Sequence, residues 1–325
     1  MPNKTTVVIP NYNGMLYIED CLYALYQQSS SDFCVIVVDN GSTDGSREYV
    51  QKQYPQVTIL AFPHNCGFCK AVNEGILAAT TPYVILLNND TRVYPQFVEA
   101  LEQALDADTT DRVFSVAAKM LLMKQPDILD GAGDSYCALG WAYARGKGKA
   151  ASTYVKRERI FAACGGAAIY RRKVFHEIGL FDEHHFAYLE DMDMGYRARI
   201  YGYQNRFEPN AKVLHAGSGF SGSAYNEFKT KLSSKNSIYV IYKNMPMLQI
   251  ILNLPFLLLG YGIKTAFFFH KGLGSIYLQG LQKGLSFCMT EEAKRHKVPF
   301  HMTHLCHYAK IQWELWINMV KRLYS

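Results

Sequence analysis

The sequence predicts an α/β protein: a mostly parallel, Rossmann-like sheet flanked by helices, followed by a helical C-terminal extension. Three observations carry this. Four short apolar runs within residues 5–120 alternate with helical stretches, the pattern of a parallel sheet covered on both faces. Several of these runs end in polar residues and turn formers, as buried strands do when they empty into a site at their carboxyl ends. From Asn226 onward the composition changes: thirteen Lys and Arg stand against four Glu, a net of +9, whereas the residues before carry a net of −3.

In chain order, Thr6–Ile9, Cys34–Val38, Val57–Leu60 and Val84–Leu87 read as strands, being β-branched or leucine-rich. Met15–Gln27, Ser46–Gln53 and Lys70–Ala79 read as the helices between them. The glycine-rich dinucleotide fingerprint is missing, since Asn13-Gly14 and Asn40-Gly41 do not form Gly-x-Gly-x-x-Gly. Residues 127–160 are rich in Gly, Ala and Tyr and read more as loops than as elements. Phe161–Tyr170 reads as a strand interrupted by Gly165-Gly166, where a ligand or another backbone can come close. Glu190 leads into a helix that Gly202 stops, and Arg206–Phe207 and Lys212–Leu214 read as edge strands. The expected division is a main part at 1–225, in two halves that meet at about 120/121, and a C-terminal region at 226–325.

That last region holds twenty positions, Asn244–Ile263, without a charge. Such a run can span a bilayer on length alone. Pro246, Gln249, Asn253 and Pro255 interrupt it, and Phe267-Phe268-Phe269 follows after Lys264. One or two helices lying in a membrane interface, with basic residues at the headgroups, fit this pattern, and a buried helical hairpin is the alternative. Basic residues interleaved with Leu, Phe and Ile runs suit lipid rather than nucleic acid.

The chain has 325 residues, 49% of them hydrophobic, enough for one large domain with an added module. Its start lacks the pattern of a secretory signal, which sets the expectation of a cytoplasmic site. The eight cysteines are scattered, several within apolar runs, as packing thiols are. Cys66-x-x-Cys69 has no second pair to complete a metal knuckle. His301, His304 and His307 drift around a helix face, so they do not easily share one ion.

Four segments carry the chemistry: Val7–Gly14, Val37–Ser46, Leu86–Thr91 and Glu190–Asp193. Together they suggest a nucleotide pocket, a metal carboxylate and a base. A fixed carboxylate such as Asp39 can accept the N3–H of uracil or thymine, although the same residue also fits an Asx turn in Asn40–Gly45. Asp90 can bind a hard cation, or cap a following helix. An acidic helix start at Glu190–Asp193 is in itself no more than a favourable match to the helix dipole.

The ordered set resembles the family 2 glycosyltransferases, inverting sugar-nucleotide enzymes of GT-A fold. The resemblance covers about residues 5–245. It implies that Pro10, Asn11 and Tyr12 frame the base, with Asp39 on base or ribose. Asn65-Cys66-Gly67-Phe68 looks like the family's Asn-x-Gly-Phe segment, with Gly67 near the nucleotide and Lys70 able to meet the diphosphate or simply to be solvated. Asn88-Asn89-Asp90 occupies the place of the Asp-x-Asp motif. The first acid is Asn88, able to bind ribose, and Asp90 is the implied ligand for Mg²⁺ or Mn²⁺. His215 matches a family histidine near the metal or diphosphate. Phe181-Asp182-Glu183 … Glu190-Asp191-Met192-Asp193 implies Asp191 as the base and Glu190 as a residue that orients the acceptor or a neighbour, with Asp193 structural. Gly165, Gly166 and Trp141 are the expected acceptor contacts. Lys235-Asn236 and Lys243-Asn244 match the family's downstream Lys/Arg-Asn pattern. The Gln-x-x-Arg-Trp motif of processive members is absent, which favours adding one or few sugars.

The expected reaction is single-displacement transfer of a hexose or deoxyhexose, with rhamnose as the subgroup suggests. The donor is a UDP- or dTDP-sugar, and the acceptor a cell-surface glycan or lipid-linked intermediate at the inner face of the cell membrane. A sugar nucleotidyltransferase is the competing enzyme, but it should open with a glycine-rich basic loop rather than Pro10-Asn11-Tyr12-Asn13. An inactive nucleotide-binding partner subunit is the non-catalytic alternative, because Asn88 replaces an acid.

Overall fold

The computed structural model describes residues 3–217 and 225–323. The first elements are β1 (Thr5–Asn11), α1 (Met15–Tyr26), β2 (Phe33–Asp39), α2 (Ser46–Gln53), β3 (Thr58–Ala61), α3 (Phe68–Ala78) and β4 (Tyr83–Leu87). β1 pairs in parallel with β2 and β4, and β2 with β3. Successive side chains point to opposite faces. Val7 and Ile9 therefore join Ile18 and Leu22 of α1, whereas Val8 joins Val72 and Ile76 of α3. Burial on both faces is why these strands read as unbroken apolar runs.

Next come β5 (Thr91–Val93), α4 (Phe97–Asp106), β6 (Val113–Leu122), β7 (Gln125–Gly131), β8 (Asp134–Cys137), β9 (Trp141–Ala144), β10 (Glu158–Ile160) and β11 (Ala167–Arg171). After them stand α5 (Phe175–Ile178), α6 (Glu190–Ile200) and β12 (Gln204–His215). One ten-stranded sheet runs β10-β12-β6-β11-β4-β1-β2-β3, with β5 on β12 and β7 on β6. Its β3-β2-β1-β4 half is parallel, and β11 joins β4 and β6 antiparallel. Two expectations need correction. Residues 127–160 are not mainly loop: they contain β7 and the β8–β9 hairpin, whose turn at Gly140 has φ of +71°. Arg206–Phe207 and Lys212–Leu214 are one strand inside the sheet, not edge strands. The register between β12 and β6 slips between Glu208 and Lys212, where Pro209 has no N–H to donate. The expected strand Phe161–Tyr170 is likewise shorter, because β11 begins at Ala167 and residues 161–166 leave the sheet.

The C-terminal helices are α7 (Glu227–Asn244), α8 (Met247–His270), α9 (Gly274–Cys288), α10 (Glu291–Arg295) and α11 (Leu305–Leu323). α7 and α9 pack closely because Gly280 and Gly284 face α7 backbone; a Cβ on either would lie 2.6 Å from the carbonyl oxygen of Lys231 or Lys235. α8 is continuous through Pro255. Its inward stripe is Gln249, Asn253, Leu257 and Gly260. Tyr196 Oη donates to Gln249 Oε1 at 2.7 Å, and Asn253 exchanges hydrogen bonds of 2.8 and 2.9 Å with Gln312 of α11. Its outward face carries Leu248, Ile251, Leu252, Leu258, Leu259 and Ile263, all exposed. The helix is thus polar toward the protein and apolar toward solvent. Leu257, Tyr308, Ile311 and Leu315 share a core with Tyr136, Met192 and Tyr196, so these helices continue the packing around α6.

Candidate active site

The carboxyl ends of β1, β2 and β4 open into a cavity of about 1160 Å³. Pro10, Asn11, Tyr12, Asn40, Asn65 and Asn88 lie on its wall. Asparagine fits these strand ends because one amide donates and accepts at once. Asn11 Nδ2 donates to Asp39 Oδ1 at 3.2 Å and Ser46 Oγ at 2.9 Å, and its Oδ1 accepts from Asn89 Nδ2 at 2.8 Å. Asn40 Nδ2 donates to Asn65 Oδ1 at 3.0 Å and to the Gly67 carbonyl at 3.1 Å, and Cys66 N donates to Asn40 Oδ1 at 2.8 Å.

Asp39 lies under this layer. It is fully buried, with Oδ1 on Asn11 and Oδ2 accepting from Ser42 N at 3.2 Å. Lys70 stands outside the cavity wall, where it pairs with Glu74 at 2.8 Å and Glu183 at 3.5 Å. Gly67, with φ of +91°, passes beneath the Phe186 ring, and a Cβ there would come within 2.6 Å of it. Trp141 also lies off the wall. Its Nε1 donates to the Gly260 carbonyl at 3.1 Å, while Ala142, Tyr143 and Ala144 face the cavity. Gly165 and Gly166 are on the wall.

At one end of the cavity Asp90 Oδ1 and His215 Nε2 come within 3.4 Å. His215 Nδ1 meets Asp130 Oδ2 at 2.6 Å, and Lys147 Nζ donates to Asp130 Oδ1 at 2.8 Å. Burial alone would lower the His215 pKa, but the two carboxylates outweigh it and hold the imidazole up at about 9. Burial would raise Asp130, yet His215 and Lys147 bring it down to about 2. This donor set fits a divalent cation once His215 gives up its Nε2 proton, which a bound cation would displace. Asp90 offers a hard oxygen, and a histidine tied through its other nitrogen to a carboxylate is oriented as metal-binding histidines are.

The opposite chemistry sits at the start of α6. Leu189, with φ of +66°, turns the chain so that Glu190 and Asp191 open the helix, and Met192 N donates to Asp191 Oδ1 at 2.7 Å. Burial raises the Asp191 carboxyl to about 6. Burial and the neighbouring Asp191 push the Glu190 carboxyl up as well, so the two acids titrate as a pair. The Asp191 carboxylate, Asp134 and Cys164 Sγ lie within 4.8 Å of one another. Asp193 points away, into a buried network: Arg197 at 2.8 Å, Lys243 at 3.0 Å and Asn244 at 2.8 Å. Lys243 also meets Asp182 at 2.6 Å. Asp182 lies near His184 and His296, but its charge is already taken up by Lys243. His307 Nδ1 lies 2.8 Å from the Ile200 carbonyl, a structural contact.

The sequence reading passed over several wall residues: Asn40, Asp130, Asp134, the run Phe186–Leu189, and Asn226–Lys229 at the start of α7. Two acids flanking Gly131-Ala132-Gly133 were a usable signal for the first acidic pair. The α7 residues gave none, since only tertiary packing brings them here.

The family model for glycosyl transferase family 2 matches residues 6–179. Among curated proteins, an N-acetylglucosaminyl-diphospho-decaprenol L-rhamnosyltransferase of Mycobacterium tuberculosis is 28% identical over 245 residues, covering 66% of this chain and 76% of that protein. An uncharacterized glycosyltransferase, YibD of Escherichia coli K12, is 37% identical over 110 residues, 33% of this chain and 32% of that protein. Among solved structures, TarS 1-349 of S. aureus in complex with UDP-GlcNAc superposes with a TM-score of 0.60 at 16% identity, covering 90% of this chain and 83% of that one. GalNAc-T7 with UDP, GalNAc and Mn²⁺ gives 0.60 at 18% identity, covering 74% of this chain and 48% of that one. At such identities the structural likeness is one of fold, and it is the GT-A glycosyltransferase fold. The family match spans more than half of the sequence, including the strand ends that wall the cavity, and the chain belongs to glycosyl transferase family 2.

Proposed function

We propose that this glycosyltransferase is an inverting, metal-dependent enzyme. It moves a hexose or deoxyhexose from a UDP- or dTDP-sugar to a cell-surface glycan or lipid-linked intermediate. The observation that carries the reading is that Asp90 with His215, and Asp191 with Glu190, line the same cavity. The mycobacterial relative's name supports rhamnose as the sugar and a lipid-linked acceptor.

The strand ends of Asn11, Tyr12, Asn40 and Asn65 hold the nucleoside. The ionised Asp191 takes the proton of an acceptor hydroxyl as its oxygen attacks the anomeric carbon. The new C–O bond forms opposite the breaking bond to phosphate, whose electron pair leaves with the nucleoside diphosphate. Asp90 and His215 would hold a divalent cation, which when bound would supply positive charge for that leaving group. Glu190, whose carboxyl burial and Asp191 push up, can donate a hydrogen bond to the acceptor in its protonated form.

Asp90→Ala tests the assignment at the leaving-group end. With Mn²⁺ present, affinity for the nucleoside diphosphate should fall at least about tenfold while nucleoside affinity stays within about twofold, because one charge-assisted contact contributes about 1.5–3 kcal/mol. Calorimetry on the two ligands decides, and equal losses on both would contradict the assignment.

The C-terminal helices support peripheral attachment to the cytosolic leaflet. α8 is long and apolar enough to cross a membrane, yet its Gln249 and Asn253 bind it lengthwise to the protein. Its exposed leucines and isoleucines suit the interface, and the basic residues of α8 to α11 suit anionic headgroups, at about 1 kcal/mol each. Sedimentation with liposomes should show binding that needs anionic lipid and weakens in high salt. Binding indifferent to both points to a spanning helix, and no binding makes this face a protein interface.

A further inference from the structure

The segment between Asp182 and Glu190 is unusual in its backbone. Phe186, Tyr188 and Leu189 all have positive φ, at 61°, 69° and 66°. Side chains rarely adopt this conformation, and three such residues within four persist only where the surroundings enforce it. Phe186–Leu189 also wall the cavity immediately before Glu190 and Asp191.

Each carbonyl from 184 to 188 has an assigned donor. Lys235 Nζ donates to His184 O at 2.6 Å. Asn236 Nδ2 lies 2.9 Å from His185 O, 2.9 Å from Ala187 O and 2.8 Å from Tyr188 O, so its two hydrogens are shared among three carbonyls. Cys69 N donates to Phe186 O at 3.2 Å. Asn236 is fully buried. Three carbonyls around one nitrogen fix which end of its amide faces the loop, because a carbonyl oxygen there would meet only acceptors. Its own Oδ1 is buried without a partner among the described residues, so this side chain is not placed for its own hydrogen bonding alone.

We infer that Asn236 is a positioning residue for sugar transfer: by gathering the carbonyls of His185, Ala187 and Tyr188 it holds the strained turn that aims Asp191 into the cavity. The inference rests on the reading of Asp191 as the base. α7 makes a second attachment eight residues on, where Lys243 and Asn244 hold Asp193 on the same helix as Asp191. The two Lys-Asn pairs thus grip both sides of the base, one through backbone and one through a carboxylate. On its other side the turn touches the donor segment, through Cys69 N and the Phe186 ring over Gly67. The C-terminal region is therefore part of the catalytic geometry, not an appendage to it.

The test uses the full chain and Asn236→Asp, which keeps the volume but cannot supply the same donors. Asn236→Ser, smaller and with one hydroxyl donor, serves if the first does not fold. Transfer kinetics, nucleoside diphosphate binding with Mn²⁺, and Asp191→Asn as reference are measured together. A misplacement of about 1 Å can cost about a hundredfold in rate. The expected result is a fall in kcat of that order, with nucleotide affinity within about threefold of wild type and a partial recovery in Asn236→Ser. An unchanged kcat overturns the inference, and so does a parallel loss of nucleotide binding, which marks a purely structural residue. If Asp191→Asn itself remains active, the reading of the base fails instead, and the two failures are told apart.

Discussion

Replacing Asp191 with asparagine is expected to reduce sugar transfer at least about a hundredfold while nucleotide binding stays within about twofold, since loss of a general base costs about 10²–10⁴ in rate. The amide is nearly isosteric, so the turn before α6 should survive, and Met192 N can still donate to the amide oxygen. What is lost is the capacity to take a proton. The wild-type enzyme should show the same dependence through pH. A base raised to about 6 by burial is active only when ionised, so kcat/KM should fall as pH drops through about 6 and level off above it. A variant retaining more than about a tenth of the wild-type rate contradicts the role.

Asp193→Ala should carry a large stability loss. Asp193 is fully buried between Arg197 and Lys243, with Asn244 on its other oxygen. Removing it leaves Lys243 with Asp182 alone and Arg197 with only the carbonyls of Ile178, Gly179 and Leu180 among the described residues, and breaking such a buried pair costs about 3–5 kcal/mol. Urea unfolding should show this as a lower midpoint with an unchanged slope. The pH dependence has a definite sign. Burial acts to raise the Asp193 and Asp182 carboxyls, but Arg197 and Lys243 at the first, and Lys243 at the second, outweigh it and hold both below the usual range. Their contribution is complete above the unfolded value near 4; that of Asp182 is lost as pH falls through about 2, and that of Asp193 only below it. The alanine variant should lose much of that acid sensitivity.

The parallel half of the fold was legible because burial on both faces leaves a simple trace. Val7–Ile9, Val35–Val38 and Val84–Leu87 are unbroken apolar runs, and each ends where the chain meets the cavity. Asp90, Asp191 and His215 stand out through the order of the motifs rather than through their own positions, since Asp90 also fits a cap and Asp191 a helix start, and all three line the cavity. Residues 127–160 were not legible as strands, because short β7, β8 and β9 mix glycine with acids and lack a clear alternation. α8 misled in another way. Its prolines and amides suggested interruptions, but Gln249 and Asn253 are the residues that fasten it. Asn236 could be noticed as part of a pattern, yet its partners lie 48 to 51 residues away, and no local signal reports a contact at that separation.

The central claim is that this cavity binds a sugar nucleotide with the help of a divalent cation. A panel of UDP- and dTDP-sugars, each with and without Mn²⁺, can be screened for stabilisation of the full chain against unfolding. At 100 times its dissociation constant a ligand adds about 2.7 kcal/mol. The account predicts that at least one sugar nucleotide stabilises the wild type strongly with Mn²⁺ and weakly in excess chelator, and that Asp90→Ala removes the difference. Stabilisation by no member of the panel, or equal stabilisation with chelator present, would contradict it.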